Sequence, residues 1–182
     1  MEHPTADELA AALDEIQQSP ATAGTVELIV RRPAEDEREV LDECSLDLTE
    51  GLVGDAWLAR GSRSRPDGSA NPDAQLTLMN ARAADVITGS RERWPLAGDQ
   101  LYVDLDLSID NLPAGTQLAV GDAVVEVTPE PHTGCAKFSA RFGTEALKFV
   151  NKSPGRELRL RGVNARVVTP GAVRAGDTIT RL

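Results

Sequence analysis

The chain changes its hydrophobic period once, near Thr25, and that change restricts the fold more than any single motif does. Before it, residues 5–18 carry a helical signature. Thr5 and Glu8 form a capping box, and Leu9, Leu13 and Ile16 fall on one face before Pro20 and Gly24 end the segment. After it, apolar residues alternate or come in short runs between turn residues. Strands are expected over 26–30, 38–48, 75–79, 101–107, 117–128 (broken at Gly121-Asp122), 156–161, 165–169 and 177–181. Three short helical stretches interrupt them. Asn80 is placed to cap one, a second carries Phe138 and Phe142 and stops at Gly143, and a third starts at Thr144. Residues 59–74 read as a long loop rich in Gly, Ser, Pro and Arg.

Many short strands and few short helices indicate a mostly β fold, a barrel or a sandwich. Aromatics are only 3% of the chain, so its core must be made of Val, Leu, Ile and Ala. With 182 residues there is room for one such domain, over 25–182, and a helical appendage over 1–24.

Several function classes fall away. There is no GxxxxGK[ST] loop, no GxGxxG turn and no GxSxG elbow. His3 and His132 are the only histidines, so a three-histidine metal site cannot be built. Cys44 and Cys135 lack structural-zinc spacing. No apolar run is long enough to span a bilayer, and the acidic N-terminus does not resemble a secretory signal. The expectation is a cytoplasmic protein off the membrane. A net charge of −10 argues against nucleic-acid partners. That charge is uneven. Residues 1–131 hold 9 Lys+Arg against 26 Asp+Glu, while residues 132–182 hold 10 against 3. The basic third can offer a site to a small anion, or be a solvated edge.

One run concentrates the chemistry: Pro131-His132-Thr133-Gly134-Cys135-Ala136-Lys137-Phe138. Gly134 permits close backbone approach, and Thr133 is placed to cap the helix that starts after Cys135. A thiol at a helix N-terminus, with Lys137 and Arg141 close in sequence, is favoured as thiolate. A thiolate attacks electrophiles, carries sulfur or ligates a soft metal. A buried loop cysteine accounts for the same residues equally well. His132, three residues earlier, can accept the thiol proton or orient a ligand, or be a surface histidine. Cys44 lies among Asp42, Glu43 and Asp47, which disfavour a thiolate, and reads as structural. Asp104 and Asp106 share a strand face and read as solvated.

Three segments, in order, resemble the MOSC family, named for the C-terminal domain of molybdenum cofactor sulfurase. Gly51-Leu52-Val53-Gly54-Asp55 matches its GLxGD signature. Gln75-Leu76-Thr77-Leu78-Met79 is similar to its Q-hydrophobic-T-L strand. The stretch 118–128, followed by Cys135, looks like its strand leading to a cysteine. The chain departs from the family at two places. His132-Thr133-Gly134-Cys135 stands where Arg-x-Pro-Cys is common, and Asp99-Gln100 stands where a Glu-Asn pair is common.

The resemblance implies a closed barrel of the pyruvate-kinase-barrel type with small helices. It implies a molybdopterin-type molybdenum cofactor, in a chain without a pyridoxal-phosphate domain. Cys135 would be the sulfur- or metal-binding thiol and His132 its catalytic partner. Thr133, Gly134, Lys137, Arg141, Asp55 and Arg161 would surround the anionic cofactor. The implied roles are sulfur carrier, with a sulfur-donor protein as partner, or molybdenum-dependent oxidoreductase acting on N-hydroxylated compounds, with an electron-transfer partner. A non-catalytic module binding molybdate or another anion is the alternative, and a pure interaction module is a third.

Overall fold

A computed structural model describes residues 3–182. The chain begins with two short helices, α1 (Ala6–Ala11) and α2 (Leu13–Gln17). The Thr5–Glu8 capping box forms, but the expected single helix breaks at Ala12. Strands β1 (Ala23–Arg31), β2 (Glu39–Leu41), β3 (Glu43–Asp47) and β4 (Gly51–Leu52) follow, then helix α3 (Trp57–Arg60). Next come β5 (Leu76–Asn80), α4 (Ala81–Thr88), β6 (Leu101–Asp104), β7 (Gln117–Val120) and β8 (Ala123–Val127). Helix α5 (Ala136–Asn151) precedes β9 (Val163–Thr169), β10 (Gly171–Arg174) and β11 (Thr178–Arg181).

Seven strands close a ring in the order β1-β11-β7-β8-β9-β5-β6, with β6 returning to β1. Every pair in the ring is antiparallel except β5–β6. Closure satisfies the edge strands that an open sheet would expose. The parallel pair requires a crossover, which is supplied by α4 (capped by Asn80, whose Oδ1 accepts from the Ala83 amide) and a 3-10 turn at Arg91–Ala97. That crossover delivers Ala97, Gly98 and Asp99 to the entrance of β6. A smaller sheet, β10-β3-β4, packs against the barrel.

Two apolar clusters result. The first fills the barrel and takes in the small sheet, with Val26, Leu78, Leu101, Val125 and Ile179 among its fully buried members. The second lies outside the barrel wall, where Val30, Met79 and Tyr102 meet α1, α2, α4 and α5 through Leu9, Ile16, Ile87, Phe138 and Phe142. Each such side chain contributes about 1.5–3 kcal/mol by leaving water. The second cluster covers the outer face of β6 at Tyr102, while Asp104 on the same face stays partly exposed. Tyr102, on the outer face of β6, is fully buried under the helices and its hydroxyl donates to the Trp94 carbonyl.

Three stretches differ from expectation for identifiable reasons. The segment 38–48 is two strands, because β2 pairs with β1 while β3 pairs with β10 and β4. Residues 171–174, left between the expected strands 165–169 and 177–181, form β10 because β3 offers them a partner. The segment 156–161 is a series of turns. Its amides bond locally, Leu158 to the Pro154 carbonyl and Leu160 to Gly155, and Leu158 and Leu160 pack into the second cluster.

Candidate functional site

The loop between β8 and α5 carries the run singled out above. Its last residue, Cys135, is itself the N-cap of α5, with extended backbone (φ −118°, ψ −178°) and no side-chain capping bond. Thr133 therefore does not cap the helix. It is exposed and lines a neighbouring cleft. The Cys135 thiol is exposed, while Cys44 is buried on β3. Burial, aided by Glu43, pushes the Cys44 thiol up to about 12, as its expected structural role requires.

The loop is held against the far end of the helix it precedes. The Gly134 amide donates to Asn151 Oδ1 at 2.8 Å, and Asn151 Nδ2 donates back to the Gly134 carbonyl at 3.0 Å. Gly134 is needed for this approach. A Cβ there would lie 2.8 Å from Leu147 Cδ1 and 3.0 Å from Val150 Cγ2. The return path exists because Gly143, at φ 92° and ψ 166°, kinks α5 between its two halves. Its position matches the stop-and-restart expected at Gly143-Thr144.

Behind the loop sits a buried ion cluster. Asp99 is fully buried, and its two carboxylate oxygens divide between partners. Oδ1 lies 2.9 Å from His132 Nε2, and Oδ2 lies 2.5 Å from Arg161 Nη1. Arg161 Nη2 donates to the Ala97 carbonyl at 2.9 Å, and its guanidinium lies 5.1 Å from the Phe138 ring centre. Burial works to raise the Asp99 pKa, but Arg161 and His132 outweigh it and hold the carboxyl well below the usual range. An ionised carboxylate can only accept, so His132 Nε2 donates and Nδ1 is left as an acceptor. Burial, then Arg161, hold His132 below its ordinary pKa against the opposing pull of Asp99, which keeps the ring neutral near pH 7.

His132, Thr133 and Arg161 line a cleft of about 280 Å³ with Thr128, Asn164 and Arg159, and Arg156 stands at its side. Arg161 Nε is buried without a hydrogen-bond partner. Cys135 is adjacent in sequence to this cleft but is not among its lining residues.

The remaining expected site residues go elsewhere. Lys137 Nζ reaches Glu35 at 2.7 Å and Asp36 at 3.6 Å. Arg141 Nη2 reaches Asp36 at 2.8 Å, and its Nη1 donates to the Leu96 carbonyl. Both thus face the acidic turn between β1 and β2. Asp55 is buried in a two-pronged pair with Arg32 at 2.9 Å for each prong, and also accepts from the Arg32 and Trp57 amides. Arg32 in turn donates to the Gly98 carbonyl at 2.9 Å. The Gln75 and Thr77 side chains of the Q-x-T strand also serve the framework. Gln75 bridges the Leu48 carbonyl and the Val167 amide, while Thr77 binds Gln100 Oε1. Asp104 pairs with Arg82 at 2.8 Å. The 59–74 loop contributes nothing to the cleft lining.

Asp99 was not picked as a site residue from the sequence. Its only signal was the Asp99-Gln100 departure at the entrance of β6. Among the described residues, no three His, Cys, Asp or Glu side chains are grouped to hold a metal ion.

A family model described as the MOSC domain matches residues 66–180. The chain belongs to the MOSC domain family. That family is associated with molybdenum cofactor binding. No curated protein matches the chain. Among solved structures it is similar to the YuaD protein of Bacillus subtilis, with a TM-score of 0.59 and 18% identity over 86% of this chain and 94% of that one. It is also similar to YiiM from Escherichia coli, with a TM-score of 0.55 and 19% identity over 87% of this chain and 69% of that one. At such identities the likeness concerns the fold, and this MOSC domain shares the closed barrel with small helices. Among the described residues, no helix is long and apolar enough to cross a membrane.

Proposed function

We propose that this MOSC domain holds a molybdopterin-type cofactor at the loop 129–135, with Cys135 as the protein's thiol donor to molybdenum. One observation carries the reading: an exposed thiol on the N-cap residue of α5 stands next in sequence to a cleft lined by arginines. The residues fit such a group. A thiol is a soft donor suited to molybdenum, and the unpartnered Arg161 Nε is a buried donor available to an anionic oxygen.

Arg161 and Arg159 attract the anionic part of the ligand. Asp99 holds His132 and Arg161 in place. Neutral His132 offers Nδ1 to a proton on the ligand or on the thiol. Bound molybdenum would supply redox or sulfur-transfer chemistry, and a sulfur donor or an electron-transfer protein would be the matching partner.

The test is reconstitution of the apoprotein with molybdenum cofactor, followed by metal and pterin analysis. Wild-type protein should retain both, and Cys135→Ser should lose molybdenum. Wild-type protein that retains neither would overturn the reading. A second reading is favoured by the absence of Cys135 from the cleft lining: the cleft binds a small oxyanion without help from the thiol. In that case molybdate binding persists undiminished in Cys135→Ser, and no molybdenum cofactor is retained by either protein.

A further inference from the structure

The cations nearest Cys135 in sequence are already occupied, and the occupant is the chain itself. The turn between β1 and β2 places Glu35 on Lys137 at 2.7 Å and Asp36 on both Lys137 (3.6 Å) and Arg141 (2.8 Å). Two further cations feel the same carboxylates. At Arg38, burial, Arg141 and Arg32 oppose the charge and Asp36 supports it. At Arg60, desolvation and Arg32 oppose the charge, and Asp55 and Glu35 support it. Five cations therefore gather about this turn: Arg32 just after β1, Arg38 just before β2, Arg60 at the end of α3, and Lys137 and Arg141 on α5. Among the described residues, only Arg32 of these five has its own buried carboxylate, Asp55.

The two carboxylates that cover this basin are held loosely. Residues 34–37 are all exposed, and Asp36 sits at φ 61°, a backbone region that non-glycine residues seldom adopt. The turn has one internal backbone bond, from the Glu37 amide to the Ala34 carbonyl at 3.2 Å. Anchorage comes from Arg38, whose Nε donates to the Pro95 carbonyl and whose Nη1 donates to the Glu37 carbonyl at the end of the turn. Exposed ion pairs of this kind contribute little and are screened by salt.

We propose that Glu35 and Asp36 are an internal stand-in for an anionic ligand, masking a cationic basin at the start of α5 that a phosphate-bearing ligand opens by displacing the turn. This rests on the reading that the site takes an anion, and it adds the regulation of that site. With Arg32 matched by Asp55, Glu35 and Asp36 offset half the charge of the other four cations, and the ligand-free domain so discriminates against weakly charged anions. A multiply charged phosphate competes successfully, because it replaces two separate monoanions at one place.

Inorganic pyrophosphate serves as probe on the full chain, followed by calorimetry and hydrogen exchange. The variant is Glu35→Gln with Asp36→Asn. The control, Asp67→Asn with Asp110→Asn, changes net charge equally at remote exposed positions. Pyrophosphate should bind the turn variant about tenfold more tightly than the control. In wild-type protein it should speed amide exchange across 34–37. If the double variant does not fold, Glu35→Gln alone should show a smaller gain in the same direction. Equal affinity of turn variant and control, or unchanged exchange across 34–37 on saturation, would overturn the proposal. Molybdenum and pterin content do not enter this measurement, so a failure here is distinct from a failure of the cofactor reading.

Discussion

The loop ending at Cys135 lies between two charge clusters built in opposite ways. In one, a fully buried Asp99 is shared between His132 and Arg161, and every partner is largely withdrawn from water. In the other, Lys137 and Arg141 meet Glu35 and Asp36 on the surface, with side chains that keep a quarter to four-fifths of their exposure. The count of ion pairs is similar, but the dielectric is not. In the buried cluster each charge depends on its partner, because unpaired it has no water to fall back on. In the exposed cluster water replaces any partner that leaves. The first therefore sets geometry, fixing the rings and guanidinium that line the cleft, and the second is free to exchange.

The sharpest way to break this comparison is to remove the shared carboxylate. Asp99→Ala leaves the Arg161 guanidinium buried and unpaired and removes the acceptor from His132. Loss of one partner of a buried pair costs about 3–5 kcal/mol. Urea unfolding should show a loss of that order, and a loss below about 1 kcal/mol would mean that the cluster is hydrated in solution.

A smaller effect comes from pH. His132 has a folded pKa below its ordinary value, so between the two values the unfolded chain holds the extra proton. Stability is therefore complete above about pH 6.5 and falls as pH drops through the window down to the folded value. Asp99, held far below the carboxylate range, contributes no slope there and loses its contribution only in strong acid. The difference in unfolding free energy between wild type and His132→Gln should shrink as pH falls from about 7 to 5. A difference that is constant across that range would contradict a neutral buried His132.

The same contrast shows what was legible in the sequence. Local devices read well: the Thr5–Glu8 box, the Asn80 cap, the interruption at Gly143 and most strand positions rest on neighbours a few residues away. The closed barrel followed from strand count and the family likeness. Asp99 did not read, because His132 and Arg161 are 33 and 62 residues distant in sequence and only the β5–β6 crossover brings them together. Lys137 and Arg141 were drawn to the thiol by sequence proximity alone. The turn that engages them lies about a hundred residues upstream, and no local pattern announces it. Asp55 within Gly-Leu-Val-Gly-Asp is a similar case. The motif singled the residue out, while its Arg32 partner became visible only once β1 was in place.

The exposed cluster supplies the smallest effect. Lys137 and Asp36 are equally exposed and Glu35 is more so. Lys137→Ala removes two contacts by distance, yet each freed carboxylate is taken up by water, and Asp36 keeps Arg141. Methylenes lost at an exposed helix position leave no cavity, and alanine has the better helix propensity. Lys137→Ala should therefore leave the urea midpoint indistinguishable from wild type at physiological salt. The same variant should be equally stable at low salt, because the helix gain offsets a slightly stronger pair. A clear destabilisation, growing as salt is withdrawn, would show that the turn is clamped rather than loosely held. It would also dissolve the contrast between the two clusters, since both would then be fixing geometry at the mouth of the Cys135 loop.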